Sequence, residues 1–120
     1  MADEITITTT VNVTNGEYLD DFRASGVTFD QAASGGWKSI QDIGTSEESI
    51  TSFGDVSTEG WCVLKNLDST NYVQVGPATT SYMIRLEATE HAVFRLEPGA
   101  DLFLKANTAS CKVLVWVLED

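Results

Sequence analysis

Few residues of this 120-residue chain could do chemistry. His91 is the only histidine, in Ala88-Thr89-Glu90-His91-Ala92, and it could nominally be joined with any of many Ser and Asp side chains into a nucleophilic triad. No GxSxG elbow or other local signature supports one, so a histidine in a turn between two strands is the plainer reading. A metal centre of the kind some small barrels carry needs several histidines and a glutamate, which one histidine cannot supply. Asp20-Asp21 and Glu47-Glu48 are carboxylates adjacent in sequence, but neighbours on a strand point to opposite faces, so neither is a ready acid–base couple. No DxDxDG calcium loop occurs. Cys62 and Cys111 lie far apart in apolar segments without a CxxC partner; free, buried thiols are favoured over a disulfide or a zinc site. Trp37, Trp61 and Trp116 could make a sugar-binding platform, yet each falls in an apolar strand, where core packing is the simpler role. The chain is therefore expected not to be an enzyme and to carry no metal and no cofactor.

The segments that would position these residues read as strands throughout. In Ile5 to Thr14 the apolar residues Ile5, Ile7, Val11 and Val13 alternate with Thr and Asn, and Asn15-Gly16 supplies a turn. Tyr18 to Phe22 and Val27 to Gln31 read as two short segments broken at Ser25-Gly26. After the loop Ser34-Gly35-Gly36 comes a strand from Trp37 to Ile43. Thr45-Ser46-Glu47-Glu48 has the spacing of a helix capping box, although a strand bearing Ile50 fits as well. Gly60 to Gly76, GWCVLKNLDSTNYVQVG, has two apolar runs around Asp68-Ser69-Thr70-Asn71 and predicts a β-hairpin. Tyr82 to Leu86, Val93 to Leu96, Leu102 to Ala106 and Lys112 to Leu118 complete the set, with a type II turn expected at Glu97-Pro98-Gly99-Ala100. In the last strand Val113, Val115 and Val117 form one face and Leu114, Trp116 and Leu118 the other. A strand apolar on both faces must be covered on both.

About nine or ten short strands with no strand–helix alternation predict an all-β, single-domain β-sandwich over residues 1–120, jelly-roll-like and antiparallel. Residues 1–14 are the part expected to pair with a neighbouring subunit. Apolar residues make up 42% of the chain, too many for disorder, and no run approaches the ~18 residues of a membrane helix. The start, Met1-Ala2-Asp3-Glu4, reads as neither basic nor apolar, so a cytosolic product is expected and Asn12-Val13-Thr14 reads as strand alternation, not as a glycosylation acceptor. Net charge is −11: residues 1–60 hold 11 acidic and 2 basic side chains, residues 61–120 hold 7 and 5. Such an acidic chain repels phosphate backbones, so no direct nucleic-acid partner is expected. One reading of the split is that the first half faces solvent while the second docks; the other is a solubility device.

The segments GDVSTEGWCVLKNLDSTNYVQVG (54–76) and IRLEATEHAVFRLEPGADLFLKA (84–106), followed by a strand of alternating valines, resemble small β-rich virion structural proteins of tailed bacteriophages. The resemblance covers residues 54–118. It implies a capsid decoration (cement) protein that stabilises the head by binding the major capsid protein shell as a homotrimer, located on the capsid exterior and made in the host bacterial cytoplasm, with no membrane partner. A tail or fibre subunit, or a receptor (carbohydrate)-binding module, is the alternative. The candidate subunit or capsid interface is Ile5, Ile7, Val11, Val13, Leu114, Trp116 and Leu118.

Overall fold

In a computed structural model that describes residues 3–120, the chain is all β, with ten strands and no helix among the described residues. It divides into two compact units, Met1–Ala33 and Ser34–Asp120. The sandwich expected over residues 1–120 is built from the second of these.

The first unit is one antiparallel hairpin, β1 (Ile5–Asn15) and β2 (Tyr18–Phe29). The two short segments expected between Tyr18 and Gln31 are in fact a single strand. The register steps by two residues on β1, from Ile7 to Thr9, and by three on β2, from Val27 to Ala24. Gly26 takes the extra position with φ +63°, a left-handed conformation that glycine adopts without a Cβ penalty. That bulge decides the chemistry of the hairpin. Side chains alternate with period two, so an unbulged β2 would put Val27 and Phe29 on the threonine face; the extra residue returns both to the face of Ile5, Ile7, Val11, Val13 and Phe22.

The second unit is a sandwich of two four-stranded antiparallel sheets. The front sheet has the order β3 (Gly36–Ile43), β10 (Cys111–Glu119), β5 (Glu59–Asn66), β8 (His91–Arg95). The back sheet has the order β4 (Glu48–Ile50), β9 (Leu102–Ala106), β6 (Val73–Gly76), β7 (Ile84–Leu86). Every connection but β6–β7 crosses from one sheet to the other, and the two orders together are those of a jelly roll. One core lies between the sheets: Ile43, Cys62, Leu64, Val113, Val115 and Val117 from the front meet Val73, Val75, Leu86, Leu102, Leu104 and Ala106 from the back.

Two local expectations change. Asp68–Asn71 does not close a hairpin, because β5 and β6 belong to different sheets. The link is a corner held by Asn66, which is fully buried: its Nδ2 donates to the carbonyls of Asn71 (2.8 Å), Leu86 (3.1 Å) and Glu87 (3.3 Å), and its Oδ1 accepts from the Asp68 amide (3.0 Å). Asp68 then accepts the amides of Thr70 and Asn71, which hold its carboxyl below the usual range, the Asn71 bond contributing most. Thr45–Glu48 caps no helix. Glu48 accepts the Gly44 amide (2.6 Å) and begins β4, since Gly54 cuts the apolar run too short for helical turns to bury a face. The type II turn is present, with Gly99 at φ +85° and the Ala100 amide donating to the Glu97 carbonyl at 3.0 Å.

Glu119 closes the sandwich at the end of β10. Its side chain accepts the amides of Ser57 (2.9 Å) and Thr58 (2.7 Å), which, Ser57 first, hold its carboxyl below the usual range. A depressed folded value means stabilisation that is complete above the unfolded carboxylate range and is lost as pH falls through the folded value. The Tm gap between wild type and Glu119→Gln should therefore be full at neutral pH and close as the pH falls below the ordinary carboxylate range, as read by thermal melts on acidification.

Candidate functional site: two uncovered apolar faces

The candidate interface residues fall on two faces, one in each unit. On the hairpin, Ile5, Ile7, Val11 and Val13 of β1 stand opposite Phe29, Val27, Phe22 and Asp20 of β2, with the Thr9–Ala24 pair on the same side between Ile7 and Val11. Ile5, Ile7 and Val13 are half-buried, whereas Val11 is 51%, Phe22 58% and Val27 40% exposed, so the hairpin does not cover its own apolar side. A shallow hollow of about 190 Å³ lies on it, lined by Val11, Val13, Phe22, Tyr18, Asp20 and Asp21. Covering the open parts of Val11, Phe22 and Val27 would contribute on the order of 1 kcal/mol each. Acidic groups surround the face: residues 1–33 contain six acidic side chains and one arginine, a net −5.

On the sandwich, β10 is the central strand whose two faces both read as apolar. The back sheet covers Val113, Val115 and Val117; Leu114, Trp116 and Leu118 lie on the outer face and are half-buried. The register sets Ile40 beside Leu114, Lys38 beside Trp116, and Val63 between Trp116 and Val93. Ile40 is 59% and Val93 40% exposed. No other strand of the Ser34–Asp120 unit lies over this face, so within that unit the double covering expected for β10 is met on one side only.

The charge of this face is opposite to that of the chain. Lys38, Lys65, Arg95 and Lys112 are four of the seven basic residues, and Asp42 is the one acid on its paired positions. Lys112 is bonded to Asp42 (2.9 Å) and Arg95 to Asp120 (2.7 Å); Lys38 and Lys65 are in neither ion pair. Lys38 Nζ lies 4.7 Å from the Trp116 ring centre and the Arg95 guanidinium 5.5 Å from that of Trp61, so both indoles carry a cation on their faces. The outer face of the back sheet is more polar, with Ser49, Gln74, Arg85 and Lys105 around a half-buried Phe103. The −9 and −2 halves of the sequence do not become two surfaces, because β3 pairs with β10 and β4 with β9, interleaving early and late strands. Charge divides by face instead.

The tryptophans separate. Trp37 turns inward, edge-on to Phe53 with ring centres 5.8 Å apart, while Trp61 and Trp116 stand on the outer front face. Sequence alternation placed Trp61 with Val63 but carried no signal for which side of β5 would be the core. His91 begins β8, opposite Lys65, and so stands in a strand where a turn position was expected. Cys62 and Cys111 are free and buried; burial pushes the Cys62 thiol up to about 12 and raises that of Cys111, with the Asp68 charge adding to the latter. Among the described residues no three His, Cys, Asp or Glu side chains gather in a way that could hold a metal ion.

Two further features are local. Glu47 accepts the Tyr82 hydroxyl, the Thr80 amide (2.7 Å) and the Thr79 hydroxyl (3.0 Å), tying the start of β4 to the β6–β7 loop; these bonds, that of Tyr82 first, lower the Glu47 carboxyl, and the same bond pushes the Tyr82 phenol up to about 12. A cleft of about 450 Å³ opens where edge strands β7 and β8 part, lined chiefly by Val75, Met83, Ile84, Phe94, Leu96 and Leu102. No helix is long and apolar enough to cross a membrane among the described residues. Compared with family models, curated proteins and solved structures, the chain matches none of them.

Proposed function

We propose that this chain is a structural virion protein of a tailed bacteriophage, a capsid decoration protein that stabilises the head by binding the shell of major capsid protein as a homotrimer. The supporting observation is the pair of uncovered apolar faces, Ile5–Val13 with Phe22 on the hairpin and Ile40, Leu114, Trp116 and Val93 on the front sheet. Soluble monomers scatter their exposed apolar side chains; contiguous apolar faces belong to surfaces that are covered in an assembly. The resemblance of residues 54–118 to virion proteins supplies the kind of assembly. A cement protein must stay dispersed before it docks, and a net charge of −11 provides that repulsion. Holding power then comes from many modest contacts repeated over the shell, so that a weak single site becomes strong in a multivalent array.

Purified protein mixed with emptied, expanded capsids should sediment with them and raise their resistance to heat and shear. Failure to bind any state of the shell would overturn the reading, as would labelling that places the protein on the tail in intact particles.

A further inference from the structure

We propose that the partner of both apolar faces is a second copy of this chain: the hairpin of one copy lies with its apolar side on the outer front face of the next. The inference deepens the trimer named above and rests on that reading only for the number of copies, since three head-to-tail contacts of one kind close a ring.

Shape and charge together select this pairing. The hairpin face is a ribbon two strands wide that exposes Val11, Phe22 and Val27 and belongs to a segment of net −5. The front face is an apolar stripe, Ile40–Leu114 and Trp116–Val63–Val93, with Lys38 and Lys65 outside both ion pairs found among the described residues. In a chain with 18 acidic and 7 basic side chains, four bases gather around the one broad apolar sheet face, so its partner is apolar and acidic. The hairpin is such a surface. Two alternatives are disfavoured by the same charges: hairpin against hairpin brings two −5 segments together, and front face against front face brings Lys38 and Lys65 against their own copies. An isolated two-stranded ribbon is marginal in water, so docking would also supply the hairpin with the packing it lacks.

A mixing experiment on the full chain tests this by analytical ultracentrifugation. One variant, Val11→Asp/Phe22→Asp, spoils the hairpin face; another, Ile40→Asp/Val93→Asp, spoils the front face at positions open to solvent. Wild type should associate, each variant alone should sediment as a monomer, and an equimolar mixture should form a one-to-one dimer through the single intact pair of faces. Wild type that stays monomeric at the highest concentration reached overturns the proposal. So does a front-face variant that still self-associates, or a mixture that forms no dimer. Lys38→Glu/Lys65→Glu leaves both apolar faces whole and should weaken association about tenfold or more; an unchanged constant also overturns it. Shell binding is scored separately, so copies that associate without binding capsids would sink the decoration role and leave this contact standing.

Discussion

Asn66→Ala should lower the stability of the protein by about 3 kcal/mol, seen as a shift of the urea midpoint with little change in slope. The side chain is fully buried and makes four bonds to main chain. Truncation leaves a donor and three acceptors to find other partners where the chain passes from front sheet to back. The Leu86 carbonyl belongs to a buried residue and is the group least able to find water; those of Asn71 and Glu87 lie nearer solvent, which keeps the cost below the sum of the four. Asn66→Asp is the sharper comparison. It retains volume, but its ionised form points a carboxylate at three carbonyl oxygens, and only the protonated acid can donate. Its deficit should therefore exceed that of Asn66→Ala at neutral pH and shrink on acidification. Equal loss for both variants at every pH would mean that packing at the corner, not bonding by Nδ2, holds it.

Gly76→Ala should be at least as damaging, at about 3 kcal/mol or more, and in practice should yield insoluble protein. A Cβ there would sit 1.7 Å from the Ser81 carbonyl oxygen and 2.8 Å from the Tyr82 Cα. These are backbone atoms, so no side-chain rotation relieves the clash; the whole β6–β7 loop would have to lift. That loop is tied down by the Ser81 amide donating to Ala78, the Met83 amide donating to Val75, and the bonds to Glu47. Gly36→Ala is the control, because a Cβ there meets only ordinary contacts, the nearest at 3.7 Å, and the change should stay within about 0.5 kcal/mol of wild type. If the two variants melted alike, the close approach at Gly76 would not be what limits that loop.

Much of this architecture was legible in the residues, and what was not has physical reasons. Leu102 to Ala106 is a strand with the expected bounds because a short apolar run there is bounded by the turn before it and by Asn107-Thr108 after it. Pairing was harder. The Asp68–Asn71 cluster is the same turn chemistry whether the chain doubles back within a sheet or crosses to the other, and what selects crossing is the contact of Asn66 with the distant Leu86 and Glu87. The β2 bulge could have been found from its neighbours: Phe22 and Ala24 match Val27 and Phe29 in phase only if one residue is skipped, and Ser25-Gly26 is where a skip is cheap. The two candidate faces were half visible. Periodicity put Leu114, Trp116 and Leu118 on one side of β10, but a strand apolar on both sides does not say which side its own chain will cover.

The order of the front sheet also bears on how the protein comes into being. One of its two inner strands, β10, follows the other strands of the sandwich in sequence, and both β3 and β5 pair with it. Until Cys111–Glu119 has left the ribosome, β3 lacks its neighbour in the front sheet, and β5 has only β8 on one side. The front sheet is therefore completed only once β10 is available, through contacts distant in sequence, which makes for slow folding and a period during which apolar strands are open to other chains. A nascent population of this kind depends on mutual repulsion to stay apart, and the acidity of residues 1–60, all made before β10, is present throughout that wait.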